Sequence, residues 1–135
     1  MGYTNYWDRT EKPITEEFVE AVKKIIEDSK AKGIMIRDYI GEDDPVVTMD
    51  EISFNGDASI GADHETCYFD NKGTGFNFCK TAEKPYDYTV KEVLKVAEQM
   101  GIVTNVSDDG ETEMCTDAEF VKWREEQMTR YPLWR

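Results

Sequence analysis

Residues Glu65–Asp87 read ETCYFDNKGTGFNFCKTAEKPYD. Glu65–Phe69 and Gly75–Cys79 are rich in strand-favouring residues. Between them Asp70–Thr74 is a turn cluster whose Gly73 can supply a positive φ. A loop at Asn71–Thr74 predicts a β-hairpin in which Phe69 faces Phe76, Cys67 faces Phe78 and Glu65 faces Lys80. Strand side chains alternate between faces, so these six share one side. That side is an apolar floor of Phe69, Cys67, Phe76 and Phe78, ending in the acid–base pair Glu65–Lys80. The pair reads either as a cross-strand salt bridge, contributing roughly 0.2–1 kcal/mol, or as a polar rim that orients a ligand. Pro85 keeps Lys84 out of the helical region. Lys80, Lys84 and Tyr86 therefore fall on a constrained strand-to-helix connection, where a rigid scaffold can aim functional side chains.

Upstream, Tyr3–Trp7 is a β-prone run with Tyr3, Asn5 and Trp7 on one face and Thr4 and Tyr6 on the other. Its aromatics can fill a core or form a stacking platform for a ring. Thr15 is a good N-cap, followed by Glu16 and Glu17 where acids suit the helix dipole. Phe18, Val22, Ile25 and Ile26 recur at helical spacing, and Gly33 is a natural stop, which predicts an amphipathic helix over 16–32. Ile34–Ile36 reads as a short strand, Arg37–Pro45 as an acidic loop, and Val46–Val47 as a strand extension. Glu51–Asn55 is a clearer strand, with Ile52 and Phe54 facing inward and Glu51, Ser53 and Asn55 outward. Asn55-Gly56 is a strong hairpin-turn signal.

Downstream of the quoted stretch, Thr89-Val-Lys-Glu92 matches a capping box, and Val90, Val93, Leu94, Ala97 and Met100 give one apolar helix face ended by Gly101. Ile102–Val106 follows as a strand and Ser107–Gly110 as its turn. Thr116-Asp-Ala-Glu119 is a second capping box, opening a third helix to about Arg130. The tail 131–135, YPLWR, is apolar for a chain end and predicts docking on the same chain or on a second copy. The order of elements predicts one α+β domain over residues 1–135, with about three helices packed on one face of a mostly antiparallel sheet.

The 135 residues are enough for one real core. Sixteen basic against twenty-nine acidic residues give a net charge of −13, a field that repels nucleic acids and anionic membranes. The charge reads either as a soluble surface or as an acidic face that occupies a basic cleft on a partner. No apolar run is long enough to span a membrane, and the N-terminus lacks signal-peptide features. The expected location is cytoplasmic. Three cysteines without such a signal argue for reduced thiols, with Cys67 and Cys79 near each other but on opposite faces.

Met1-Gly2-Tyr3-Thr4-Asn5-Tyr6-Trp7, Phe54-Asn55-Gly56, Glu65-Thr66, Phe78-Cys79-Lys80-Thr81, Lys84-Pro85-Tyr86-Asp87 and Ser107-Asp108-Asp109-Gly110 together give a further signal. In these stretches the chain resembles a family of small uncharacterised phage and bacterial proteins that open MGYTHYW and carry a central FCKT-x-x-KPYD. The resemblance runs from residue 1 to about residue 110. It departs at Asn5, where the family has histidine. It implies a phage or bacterial setting, hence the host cytoplasm if phage-encoded, and no mechanism.

Phosphate-binding loops, dinucleotide fingerprints and nucleophile elbows are absent from the sequence. The H-x-x-C spacing of His64 and Cys67 lacks the paired knuckles of a zinc site. No catalytic residue, metal or cofactor is expected. The residues point first to non-covalent binding of a small polar or nucleotide-like ligand by Tyr3, Asn5, Tyr6, Trp7, Asn55, Glu65, Lys80, Lys84 and Tyr86. Lysines would meet phosphate and aromatics would stack on a base. In a phage setting such a protein could sequester a host immune signalling nucleotide as a counter-defence. The alternatives are an acidic inhibitor or nucleic-acid mimic of a host enzyme, and a small carboxylate-dependent hydrolase.

Overall fold

A computed structural model describes residues 2–111 and 113–130. The strands are β1 (Thr4–Arg9), β2 (Val46–Val47), β3 (Glu51–Phe54), β4 (Cys67–Asp70), β5 (Gly75–Lys80) and β6 (Val103–Asp108). The helices are α1 (Glu16–Ala31), α2 (Asp87–Gln99) and α3 (Asp117–Arg130), with a 3-10 turn at Ala58–Ile60. The α+β class and the antiparallel pairing expected from the sequence stand. The strands divide between two three-stranded sheets, ordered β5-β1-β6 and β2-β3-β4.

This division corrects the hairpin. β4 pairs with β3, Cys67 opposite Phe54 and Phe69 opposite Ile52, while β5 pairs with β1, Phe78 opposite Tyr6 and Lys80 opposite Thr4. The loop falls at residues 71–74 as predicted, but the strands it joins belong to different sheets and each takes its facing from its own partner. Gly75, at φ +93°, begins the second strand in a conformation that side-chain-bearing residues rarely adopt. As a result Phe69 and Cys67 are buried, whereas Phe76 and Phe78 point to solvent. Cys79 turns inward instead, and its thiol meets that of Cys67. The two cysteines share the core rather than opposite faces, and both are free.

One apolar core serves both sheets. Trp7 of β1 stacks on Phe69 of β4 at 5.5 Å, and Phe18 of α1 meets the Phe69 edge at 5.8 Å, so three aromatics join both sheets to a helix. α1 begins as expected, with the Thr15 hydroxyl accepting from the Phe18 N–H. α2 starts at Asp87, earlier than the Thr89–Glu92 box implies. Thr89 therefore lies inside the helix, where its hydroxyl shares a buried 2.7 Å bond with Ser29 of α1. α3 opens on the predicted capping box: the Thr116 N–H donates to Glu119 Oε2 and the Glu119 N–H to Thr116 Oγ1. It lies against loops, with Asp117 holding the Met35 N–H and Arg124 donating to the Ile60 carbonyl.

Ile34 and Ile36 are buried without forming a strand; the segment makes a single bridge, Arg37 to Asn55. Asn55 is not outward-facing. It is 2% exposed, its amide donates to the His64 carbonyl and Thr66 Oγ1, and its side-chain oxygen accepts from the Gly56 and His64 N–H groups. The Asn55-Gly56 step closes no tight hairpin. It fastens the 57–64 segment, and a Cβ on Gly56 would lie 2.1 Å from the Ala62 carbonyl oxygen. Residues 131–135, and with them the expected tail docking, lie outside the described residues. Among those described, no helix is long and apolar enough to cross a membrane.

Candidate functional site

Strand β1 sorts the predicted site residues by its alternation. Tyr3, Asn5 and Trp7 point inward, where they are 3%, 1% and 2% exposed, while Tyr6 points outward and is half-buried. Trp7 belongs to the core stack. Tyr86 is fully buried as well, and its hydroxyl donates to the carbonyls of Glu65 (2.5 Å) and Lys80 (3.4 Å). Burial pushes that hydroxyl far above the usual tyrosine range. Trp7, Tyr86 and Asn55 thus pack or hydrogen-bond within the fold.

Tyr3 and Asn5 enter a polar knot centred on Lys91, a residue the sequence reading did not single out. The Lys91 ammonium donates to Asn5 Oδ1 (2.6 Å), Tyr3 Oη (2.9 Å) and Asp108 Oδ2 (3.2 Å), and lies 3.5 Å from Asp87 Oδ2. Asp87 in turn accepts from Asn5 Nδ2 and Thr81 Oγ1, both at 2.7 Å. An ammonium has three N–H bonds, and here all three have partners. Burial pushes Lys91 down, but Tyr3, Asp87 and Asp108 outweigh it and raise the group above an ordinary lysine. It stays charged at neutral pH and offers neither a free base nor a nucleophile. The Asp87–Lys91 spacing of i,i+4 was the available sequence signal.

The connection after β5 is held against this knot. The N–H groups of Thr81 and Ala82 both donate to the Tyr3 carbonyl, and Ala82 and Glu83 adopt left-handed φ values of 54° and 60°. Lys84 donates to the Asp63 carbonyl at 2.7 Å. Glu65 and Lys80 do meet, but through the backbone: the Glu65 N–H donates to the Lys80 carbonyl, and the Lys80 N–H to Glu65 Oε1. The space beside Lys84, Asp87 and Lys91 amounts to about 50 Å³, room for water rather than a nucleotide. Among the described residues, no group of three or more His, Cys, Asp or Glu is placed to hold a metal.

The outward face of the β5-β1-β6 sheet differs. Phe76 is 65% exposed and Phe78 46%. Tyr6 stacks on Phe76 at 6.1 Å, Phe76 and Phe78 lie 6.0 Å apart, and the Lys80 ammonium stands 5.7 Å from the Phe78 ring. Acids flank this strip: Asp109 accepts from the Tyr6 hydroxyl at 2.8 Å, and Asp8 lies opposite Phe76. Two of the predicted residues, Tyr6 and Lys80, meet here. Phe76 and Phe78, assigned by the hairpin to the core, complete the strip. Searches of protein-family models, curated proteins and solved structures give no match to this chain.

Proposed function

We propose that the protein is a non-catalytic interaction protein that docks through Tyr6, Phe76 and Phe78 onto a partner protein with a basic surface. The carrying observation is the exposed aromatic strip on the outward face of the β5-β1-β6 sheet. Clustered aromatics with a polar rim have the composition of an interface centre. The flanking Asp8 and Asp109, on a chain of net charge −13, favour a cationic partner and steer its approach. Aromatic sheet faces also stack single-stranded bases, but the same charge opposes a polyphosphate chain. The resemblance to phage and bacterial proteins supports seeking the partner among host nucleic-acid enzymes.

A second reading keeps a small nucleotide-like ligand, its ring stacked on Phe78 and its phosphate on Lys80. The cation beside the ring favours it. The open strip, with Phe76 and Phe78 exposed, weighs for the first reading, because tight sequestration needs an enclosed, desolvated site.

The test is affinity capture from host lysate with the wild type and with Phe76→Thr/Phe78→Thr, matched for folding by circular dichroism. A basic protein retained by the wild type, released by salt and lost with the variant supports docking through this face. Equal capture by both proteins removes the face from the reading. Calorimetry with cyclic and ADP-ribose-derived nucleotides decides the second reading.

A further inference from the structure

β4 and β5 are consecutive strands and edge strands of different sheets. Their ends are tied, by the Glu65–Lys80 backbone bond at one end and by the 71–74 loop at the other. Between them a cleft of about 340 Å³ opens over β1, bordered by Trp7, Arg9, Tyr68, Asp70, Lys72 and Asn77 among others.

The residues beneath this cleft are electrostatically incomplete. Arg9 is 6% exposed. Its terminal nitrogens donate to the carbonyls of Thr10, Lys12, Ile102 and Asp70 at 2.7–3.1 Å. Neutral carbonyls are its hydrogen-bond partners; among the described residues no carboxylate lies within 4 Å of it. Its Nε–H is buried without a partner, and so is the indole Nε1–H of Trp7. A buried cation with no carboxylate in contact is costly, and each orphaned buried donor adds to that cost. Both donors belong to residues bordering the same cleft. Burial also lowers the Arg9 pKa, which the nearby Asp70 only partly offsets.

We infer that the cleft binds a small oxyanion, a carboxylate or phosphate group, between Arg9 and the Trp7 indole. Such a group carries several acceptor oxygens and the missing negative charge. Lys72, exposed at the mouth, supplies a second cation. Asn77 adds an amide that donates to the Gly75 carbonyl at 3.2 Å. Asp70 opposes the anion, but its Oδ1 already accepts from the Lys72 N–H at 2.9 Å. The volume exceeds a bare oxyanion and suits one borne on a small organic body.

The test uses the full ¹⁵N-labelled chain, whose three tryptophans give three indole N–H signals. Inorganic phosphate, acetate and ribose 5-phosphate are titrated separately at neutral pH and constant ionic strength. The Trp7 signal should move downfield and saturate with at least one of them, while the other two indole signals stay. Saturation with phosphate and ribose 5-phosphate alike marks a site for the free ion, and much tighter binding of the ester marks an organic ligand. Lys72→Ala, a surface change that keeps the fold, should raise the half-saturation concentration by about fivefold. Absence of a saturating Trp7 shift with all three, parallel drift of all three indoles, or Lys72→Ala titrating like wild type would overturn the site.

Discussion

The two faces of β1 carry the same kinds of residue to opposite ends. Inward, Tyr3 and Asn5 are fixed by Lys91, Asp87 and Asp108 in a knot whose ammonium has no donor left. Outward, Tyr6 joins Phe76 and Phe78 in a strip on which no other element packs closely enough to hide Phe76. Tyrosines three residues apart can thus be a structural post in one case and part of a contact surface in the other. What separates them is whether their neighbours leave any bonding or apolar capacity unused.

The sharpest way to break this contrast is to remove the centre of the inner knot. Lys91→Met leaves Asp87 buried without its cation and frees Tyr3 and Asn5, and it should cost about 3 kcal/mol, reduced from the fully buried case because Lys91 is partly exposed. Urea unfolding would show it as a lower midpoint with an unchanged slope.

The knot should also respond to pH. At Asp108, burial raises the carboxyl, but the Gly110 N–H and Lys91 outweigh it and hold it below its ordinary 3.8. This contribution is present above pH 3.8 and is lost as pH falls through the depressed value. Lys91 lies above its ordinary 10.5, so its contribution is present below 10.5 and is lost as pH rises through the elevated value. Wild-type stability should therefore fall at both extremes, and Lys91→Met should flatten the alkaline limb. An alkaline limb unchanged in the variant would remove Lys91 as its source.

The outer face should give the smallest effect on stability. Phe76→Thr/Phe78→Thr removes exposed rings with modest cross-strand contact and should shift stability by less than about 1 kcal/mol. A larger loss in thermal unfolding would mean that these rings hold the sheet together.

Local signals in the sequence carried well into the structure. Thr15, Thr116 and Glu119 cap their helices as read, and the apolar faces of the first two helices lie in the core. Sheet membership did not carry. The strands on either side of the 71–74 loop look like hairpin partners, yet each pairs with a segment distant in sequence, and pairing partners set which residues face the core. Asn55 was misplaced because its outward alternation ignored a loop that folds back onto it. Lys91 was overlooked because a lysine inside an amphipathic helix reads as a solvated face. Its acceptors come from β1 and β6.

The place of β1 in the middle of its sheet also bears on assembly during synthesis. The β2-β3-β4 sheet is built from near neighbours along the chain, whereas Tyr3 closes on Gly110 across 107 residues. Loop-closure entropy makes such long-range pairings slow and late. On the ribosome β1 emerges before both of its partners and waits with both edges open until β5 and β6 have followed. During that interval its aromatic and apolar side chains are exposed to chaperones and to other nascent chains, so a strand made before both of its partners is the one most in need of protection.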